Sequence, residues 1–131
     1  MTDIGTYKKL KVVKDLDFGV YLEDGDRELL LPRKYVPQNL KIGDLIKVYI
    51  YKDSDNRPVA TTLIPKVEVN QFAFLEVKDV NKFGAFVDWG IENQLLIPFS
   101  EQPHPLKIGQ RCVVRLYIDD LTDRQVGSAK A

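Results

Sequence analysis

The sequence has one cysteine, one histidine and one tryptophan among 131 residues, and the first two scarcities exclude whole classes of chemistry. Cys112 has no second cysteine in the chain with which to form a disulfide. His104 lies between two prolines, so the chain supplies neither a Ser-His-Asp triad nor a histidine-rich metal site. We therefore predict that the chain is not an enzyme and that it uses no metal or other cofactor.

Long apolar runs and an excess of one charge are also missing. No run approaches the roughly 20 residues that cross a bilayer, and the opening Met-Thr-Asp-Ile-Gly does not resemble a signal peptide. We expect no membrane partner and a cytoplasmic location. Lys plus Arg and Asp plus Glu each number 19, so a strongly basic field, the simplest sign of a nucleic-acid partner, is absent.

What the sequence does contain is an internal repeat. At an offset of 65 residues, Phe18-Gly19 aligns with Phe83-Gly84, and Leu30-Leu31 aligns with Leu95-Leu96. One inserted residue then shifts the offset to 66, which aligns Pro32 with Pro98 and two identical Leu-Lys-Ile-Gly segments at 40–43 and 106–109. This repeat predicts two domains, 1–65 and 66–131.

Within each repeat, apolar residues alternate with others, as at Cys112, Val114 and Leu116. A period of two indicates strands, and turn-forming residues separate them. Five short strands with one longer connection between the third and fourth suit a small Greek-key barrel, which has no exposed edge. The predicted fold is all-β, with two tandem five-stranded OB-fold barrels. A short helical turn fits after Pro32 or Pro98.

The motifs of the two repeats resemble the S1 RNA-binding domain. Each repeat has a Phe-Gly motif, Phe-Gly-Val-Tyr at 18–21 and Phe-Gly-Ala-Phe at 83–86, followed by a Leu-Leu-Pro type segment and by Lys-Ile-Gly. The segments 49–62, 84–90 and 96–102 are similar to the conserved virulence factor B family of bacterial S1-like proteins. This resemblance covers essentially the full chain and identifies both barrels as S1-like.

The resemblance implies RNA binding and a regulatory effect on gene expression. Members of the family usually continue into a further S1 unit and a winged-helix domain, so we expect such C-terminal domains, or other proteins, as partners beside single-stranded RNA. S1 domains often carry a histidine in the third-strand segment, where this chain has Pro32 and Pro98. Arg57 and Arg124 retain an arginine that follows the Asp at the end of the fourth strand: Asp53 in the first repeat, Asp119 or Asp120 in the second.

Binding a single strand requires flat aromatic faces for the bases and cations for the phosphates. We predict that aromatic residues of the second strand stack on bases and that nearby basic residues contact phosphate or base. The predicted RNA-binding residues are Phe18, Tyr21, Arg33, Lys34, Arg57, Phe83, Phe86 and Arg124. Two aromatics three positions apart share the solvent side only if the glycine between them introduces a bulge or a strong coil. The alternative is that Phe83 or Phe86 fills its barrel.

Other aromatic residues leave a second function open. Trp89 is either an exposed base-stacking residue or a packing residue between the barrels, and Tyr49, Tyr51 and Tyr117 suggest a lateral patch for a partner. Cys112 is interpreted as a buried apolar residue. The predicted function is non-catalytic binding of single-stranded RNA with low sequence specificity. The alternative is a protein-interaction or scaffolding module, because OB barrels serve many functions.

Overall fold

A computed structural model of the chain describes residues 2–130, which form ten β-strands and two short 3-10 helices. The chain divides between Ile64 and Pro65 into two compact units, here called unit 1 and unit 2. Each unit contains five strands that form a nearly closed barrel, so the prediction of an all-β chain with two tandem five-stranded OB barrels is confirmed. Within residues 2–130, no helix is long and apolar enough to cross a membrane.

The strands of the two units follow the same order. In unit 1 they are β1 (Tyr7–Leu16), β2 (Gly19–Asp24), β3 (Arg27–Pro32), β4 (Leu45–Lys52) and β5 (Pro58–Thr61), arranged β3-β2-β1-β4-β5. In unit 2 they are β6 (Phe72–Asn81), β7 (Gly84–Val87), β8 (Leu95–Pro98), β9 (Arg111–Ile118) and β10 (Gln125–Ser128), arranged β8-β7-β6-β9-β10. The outermost strands of each sheet approach one another, which closes the barrel.

The first strand of each unit belongs to two antiparallel ladders. Residues 7–11 of β1 pair with β4 and residues 11–16 pair with β2, with a register shift between Val12 and Lys14. In β6 the corresponding shift lies between Val77 and Asp79. Because a bulge bends a strand and increases its twist, it allows one long strand to line both sides of a small barrel. The bulge therefore separates two outer faces in each unit.

The barrel interior fixes the alignment of the repeats. Leu29 and Leu31 of β3 are buried, as are Leu95 and Ile97 of β8. Leu30 is only half-buried, so the alignment of Leu30-Leu31 with Leu95-Leu96 is wrong by one residue. The inserted residue lies in the β7–β8 connection, before Leu95. A shift of one residue would turn the core-facing side chains of a strand toward solvent. The burial of the side chains therefore decides which leucines of β3 and β8 correspond, which the sequence alone left ambiguous.

Short 3-10 helices follow β3 and β8, at Arg33–Tyr35 and Phe99–Glu101, which confirms the helical turns expected after the prolines. Pro32 and Pro98 precede them with φ near −60°, the angle imposed by the pyrrolidine ring. Each proline also pairs with the glycine that begins the second strand of its unit. The position that carries histidine in many S1 domains thus ends a strand in this chain.

The glycines that begin β2 and β7 lie against the neighbouring strand. Gly19 has φ 156° and Gly84 has φ 142°, values that favour glycine. A Cβ atom on Gly19 would lie 2.4 Å from the Leu31 carbonyl oxygen, and one on Gly84 would lie 2.3 Å from the Ile97 carbonyl oxygen. Since backbone atoms cannot move aside easily, both positions require glycine.

Replacing Gly84 by alanine should lower the free energy of unfolding by roughly 1–3 kcal/mol, because the new methyl group meets the β8 backbone. The midpoint of urea unfolding measures this loss. Gly25→Ala is the matched control, since Gly25 also has positive φ (60°) but a methyl group added there would have nothing within 4 Å. Equal losses in the two variants would contradict the close approach of β7 to β8.

A charge network joins the β2–β3 turn to the start of unit 1. The Asp24 carboxylate, 12% exposed, accepts hydrogen bonds from Lys8 Nζ at 3.0 Å and Arg27 Nη2 at 2.8 Å. Burial by itself raises the pKa of Asp24, but the hydrogen bonds from Arg27 and Lys8 outweigh it and hold that pKa below its usual value. The pKa of Lys8 is raised by its hydrogen bonds to Asp3 and Asp24.

Asp24→Asn should lower the free energy of unfolding by about 1.5–3 kcal/mol at neutral pH, because charged hydrogen bonds are lost. A carboxyl group with a lowered pKa stabilises the fold while it is ionised, above its unfolded-state pKa, and this contribution disappears as the pH falls through its folded-state pKa. The difference from wild type, measured by urea unfolding, should therefore narrow in acid. Asp26→Asn, at an exposed position of the same turn, is the control. A gap that stays constant with pH would refute the role of Asp24.

Candidate nucleic-acid interface

The turn between β1 and β2 presents an aromatic pair at the surface of unit 1. Phe18 is 56% exposed, and its ring centroid lies 6.1 Å from that of Tyr21 at an interplanar angle of 85°. Gly19 separates Phe18 from the strand with an unusual backbone angle, while Val20 and Leu22 of β2 point into the barrel. Phe18 and Tyr21 therefore lie together on the outside, as two rings meeting edge to face.

Two cations accompany these rings. Lys14 is the cross-strand neighbour of Tyr21, and its Nζ lies 5.7 Å from the Tyr21 ring centroid. Lys14 Nζ also lies 2.8 Å from a Glu28 carboxylate oxygen, and this hydrogen bond raises the pKa of Lys14. The second cation is Arg33, which follows β3. Phe18, Tyr21, Lys14 and Arg33 are here called the Phe18 cluster.

Arg33 supports the turn that carries Phe18. Its backbone N–H donates to the Phe18 carbonyl at 2.9 Å. Its guanidinium donates to the Asp15 carboxylate and to the carbonyl oxygen of Leu16. With 44% of its side chain exposed, Arg33 remains open to solvent while it holds the turn. Arg33 thus combines a structural role with the charge that a phosphate contact requires.

Lys34 follows Arg33 in the short helix and is exposed. Its Nζ lies 5.1 Å from the ring centroid of Tyr35, so the ammonium group lies over that ring. A cation over a ring face is attracted by the negative charge of the π system. Lys34 therefore belongs to the same turn as Arg33 but contacts a different aromatic side chain.

Unit 2 repeats the aromatic residues with a different charge. Phe83 is 60% exposed with Lys82 Nζ 5.2 Å from its ring centroid, and Phe86 is half-buried, so neither ring fills the barrel. Asp79 is the cross-strand neighbour of Phe86, at the place of Lys14 in unit 1. Phe99 follows Pro98, at the place of Arg33. The second Phe-Gly motif consequently lacks the two cations of the Phe18 cluster.

The two arginines of the fourth-strand motif lie in matching loops. The Asp53 N–H donates to the Arg57 carbonyl at 2.8 Å, and the Asp119 N–H donates to the Arg124 carbonyl at 2.9 Å, which identifies Asp119 as the partner of Arg124. The Arg57 side chain is 70% exposed and donates to the Asp53 and Asp55 carboxylates, each at 3.1 Å. These contacts tie Arg57 to its own loop and brace the turn.

Trp89 is fully buried, so its interpretation as an exposed stacking residue is wrong. Its indole N–H donates to the Asn93 carbonyl at 2.6 Å, and the Asp88 carboxylate accepts from Gly90 N–H at 2.9 Å and from Lys66 Nζ at 2.9 Å. The hydrogen bond from Lys66 and that from Gly90 lower the pKa of Asp88. The β7–β8 connection thus folds around the indole, because a large apolar ring gains more from burial than from exposure.

The predicted tyrosine patch is also wrong. Tyr49 and Tyr51 are 1% and 2% exposed, and only Tyr117 is half-buried. The Tyr49 ring lies 5.1 Å from that of Tyr7. The period-two argument assumed one solvated face, whereas the end of β4 is buried on both faces, from Val48 to Tyr51.

Cys112 is half-buried rather than fully buried. Desolvation raises the pKa of its thiol, which makes the reactive thiolate scarcer at neutral pH. Among residues 2–130 there is no group of three or more His, Cys, Asp or Glu side chains placed to hold a metal ion.

Sequence reasoning missed two exposed rings, Phe72 and Phe74, which are 61% and 62% exposed at the start of β6. The signal was present, because Leu75 and Val77 point into the barrel and residues at even positions before the bulge must then face outward.

Comparisons with known proteins agree with this architecture. Residues 4–63 match the S1 domain family. Over 100 residues, 76% of this chain, it is 31% identical to the uncharacterized protein YitL of Bacillus subtilis (strain 168), covering 34% of that protein. Over 84 residues, 61% of this chain, it is 29% identical to conserved virulence factor B of Staphylococcus saprophyticus, covering 28% of that protein. The matches span about a third of the length of these curated relatives.

A solved structure has the same fold along the whole chain. It is a multidomain protein with nucleic acid binding domains from Streptococcus pneumoniae TIGR4, with a TM-score of 0.84 and 22% identity, covering 100% of this chain and 47% of that one. The S1 match, the two relatives and the paired barrels with their Phe-Gly turns agree. The first unit therefore matches the S1 domain family over residues 4–63, and the chain has YitL and conserved virulence factor B among its homologues.

Proposed function

We propose that this chain binds single-stranded RNA without catalysis and with low sequence specificity, and that the Phe18 cluster is its main contact surface. The observation that carries the proposal is the exposed Phe18 ring beside Tyr21, with Lys14 next to Tyr21 on the β1–β2 ladder and Arg33 hydrogen-bonded to the turn that carries Phe18. Ring faces accept any base, and cations accept any phosphate, so such a surface binds with little preference for sequence.

The match of residues 4–63 to the S1 domain family supports this ligand class, and so does the similar fold of a solved structure described as having nucleic acid binding domains. The Phe18 cluster also lies on the β1–β2 ladder, and strand faces beside the first loop are where OB folds hold oligonucleotides. A regulatory effect on gene expression, which the family resemblance implies, would follow from holding a transcript in an accessible form. We place the arginines Arg57 and Arg124 and the second motif, Phe83 with Phe86, as auxiliary contacts.

The charge environment predicts weak binding by these two units. Lys14 is paired with Glu28, Arg33 with Asp15, and Arg57 with Asp53 and Asp55. A phosphate must therefore displace a carboxylate at each of these cations, and the net gain is smaller than at a bare cation. The formal net charge of zero adds no long-range attraction.

The alternative, a protein-interaction module, loses three of the four aromatic residues that suggested it, and only Tyr117 of the four is still partly exposed. Trp89, Tyr49 and Tyr51 are buried, so they offer no surface to a partner. The neutral charge remains compatible with either function and does not choose between them.

Fluorescence anisotropy with a labelled oligouridylate, at low and at moderate salt, tests the proposal. Phe18→Ala combined with Tyr21→Ala should weaken binding by about 1–3 kcal/mol for each base that stacked, and moderate salt should weaken wild-type binding further. Leu121→Ala, which removes a 95% exposed apolar side chain outside the cluster, is the control. Equal affinity in the double variant and the wild type, or no binding of wild type at low salt, would contradict the proposal.

A further inference from the structure

A second exposed aromatic surface lies on the β6–β9 ladder of unit 2. It consists of Phe72, Phe74, Val113, Arg111 and Arg115, here called the Phe72 face. The three apolar side chains are 61%, 62% and 55% exposed, in that order. This ladder is on the other side of the β6 bulge from the β6–β7 ladder, which carries Phe86. The Phe72 face is thus distinct from the second Phe-Gly motif.

Strand register sets the geometry of this face. Phe72 pairs with Arg115, Phe74 with Val113, and Glu76 with Arg111. Phe72 and Phe74 are two positions apart on one strand, so their rings project from the same side at a separation of about 7 Å. Neighbouring bases of an extended single strand can span this distance. Ala73 lies between the rings and points the other way, so it does not obstruct the surface.

The arginines of the face are oriented by their neighbours. The Arg115 guanidinium carbon lies 5.2 Å from the Tyr117 ring centroid, and its Nη1 donates to Asn70 Oδ1 at 3.3 Å. Arg111 Nη2 lies 3.7 Å from Glu76, a carboxylate that also lies 3.5 Å from Lys78. Glu76 is therefore shared by two cations, Arg111 and Lys78. Arg115 pairs with Phe72 across the ladder, and its contacts with Asn70 and Tyr117 involve no carboxylate. The local charge favours an anion.

The same ladder in unit 1 shows that exposed rings are not required by the fold. There the corresponding pairs are Tyr7 with Tyr49, Lys9 with Lys47, and Lys11 with Leu45. Tyr7 packs against Tyr49, and the exposed positions are mostly lysines. A barrel of this type thus folds with mostly polar side chains on the outside of this ladder. The exposure of Phe72 and Phe74 to water in unit 2 is therefore not required by the fold. Contiguous exposed apolar area of this kind marks a binding surface.

We propose that the Phe72 face is a second binding site for single-stranded RNA, in which Phe72 and Phe74 each stack one base and Arg111 and Arg115 contact the flanking phosphates. Two aromatic side chains at alternate positions of one exposed strand, with a small residue between them, are how RNA-recognition-motif sheets stack bases, and Phe72-Ala-Phe74 reproduces that local pattern on a different fold. This inference rests on the proposed function, since it adds a second surface for the same ligand.

The test compares the two surfaces in the same chain. A fluorescent oligouridylate of about twelve nucleotides, long enough for one or more OB-sized sites, is titrated into wild type and into Phe72→Leu combined with Phe74→Leu. Leucine keeps the apolar surface but removes the ring face, so the variant separates base stacking from general hydrophobic contact. We expect affinity to fall by about fivefold or more, because a stacked base contributes about 5- to 150-fold. Phe72→Tyr combined with Phe74→Tyr should retain wild-type affinity.

Photo-crosslinking of the same oligouridylate gives a second readout, since a stacked base should crosslink to the peptide that contains Phe72 and Phe74. Leu121→Ala is the control in unit 2, because it removes exposed apolar area outside the Phe72 face and no ring. Unchanged affinity in the leucine variant, with no crosslink at this peptide, overturns the proposal, whereas a loss in the Phe18 and Tyr21 variant would leave the proposed function standing. If wild type binds no RNA, both fall.

The face could instead hold a second copy of the chain, and sedimentation velocity distinguishes this case. Dimers that dissociate in a Phe72→Ser and Phe74→Ser variant, with RNA affinity unchanged, would assign the face to self-association and overturn the proposal. A monomeric wild type whose affinity for RNA falls in the serine variant supports it.

Discussion

The close approach of a glycine backbone to the neighbouring strand is the constraint on which the candidate RNA surface depends. Gly19 lies against the Leu31 carbonyl and Gly84 against the Ile97 carbonyl, each too near for a side chain. The approach lets the second strand of each barrel begin immediately after a tight turn. The phenylalanine before each glycine is then left outside the barrel, where it is more than half exposed. One requirement of barrel closure thus also creates an aromatic face in water.

The two units use one frame with different side chains. Unit 1 places Lys14 and Arg33 beside its Phe-Gly turn, whereas unit 2 has Asp79 and Phe99 at those places. The other ladder of the first strand also differs between the units. Lysines occupy the outer face of the β1–β4 ladder in unit 1, whereas phenylalanines and arginines occupy the outer face of the β6–β9 ladder in unit 2. Because outward positions contribute little to the core, their chemistry can vary while the barrel stays the same. This freedom is what allows a duplicated fold to carry two different surfaces.

Much of the fold was predictable, since alternation of apolar residues fixes strands and the repeat fixes their number. The wrong predictions concern residues whose burial depends on distant parts of the chain, because a local sequence pattern does not show which residues pack over them. Tyr49 and Tyr51 alternate correctly with core residues, yet their outer face is also buried. Trp89 follows a turn-type residue, yet a seven-residue connection folds around its indole.

Other features of the site were not predicted, for different reasons. Leucine identity could not fix the β8 register, because two adjacent leucines fit the repeat equally well until burial separates them. Phe72 and Phe74 were overlooked because they lie outside the repeated Phe-Gly motif on which the predicted site was based, although the alternation of residues in β6 indicates that they face outward. The ion pairs of Arg33 and Arg57 join side chains through loop geometry, which no local pattern specifies.

We propose that RNA binds to the aromatic rings that the glycine turns leave outside the barrels. The most direct measurement is an NMR titration of the ¹⁵N-labelled chain with unlabelled oligouridylate, following every backbone amide. We expect the largest shift changes at the β1–β2 turn and β2 around Phe18 and Tyr21, with a second group at the start of β6. Changes confined to other surfaces, or no changes at saturating oligonucleotide, would contradict it.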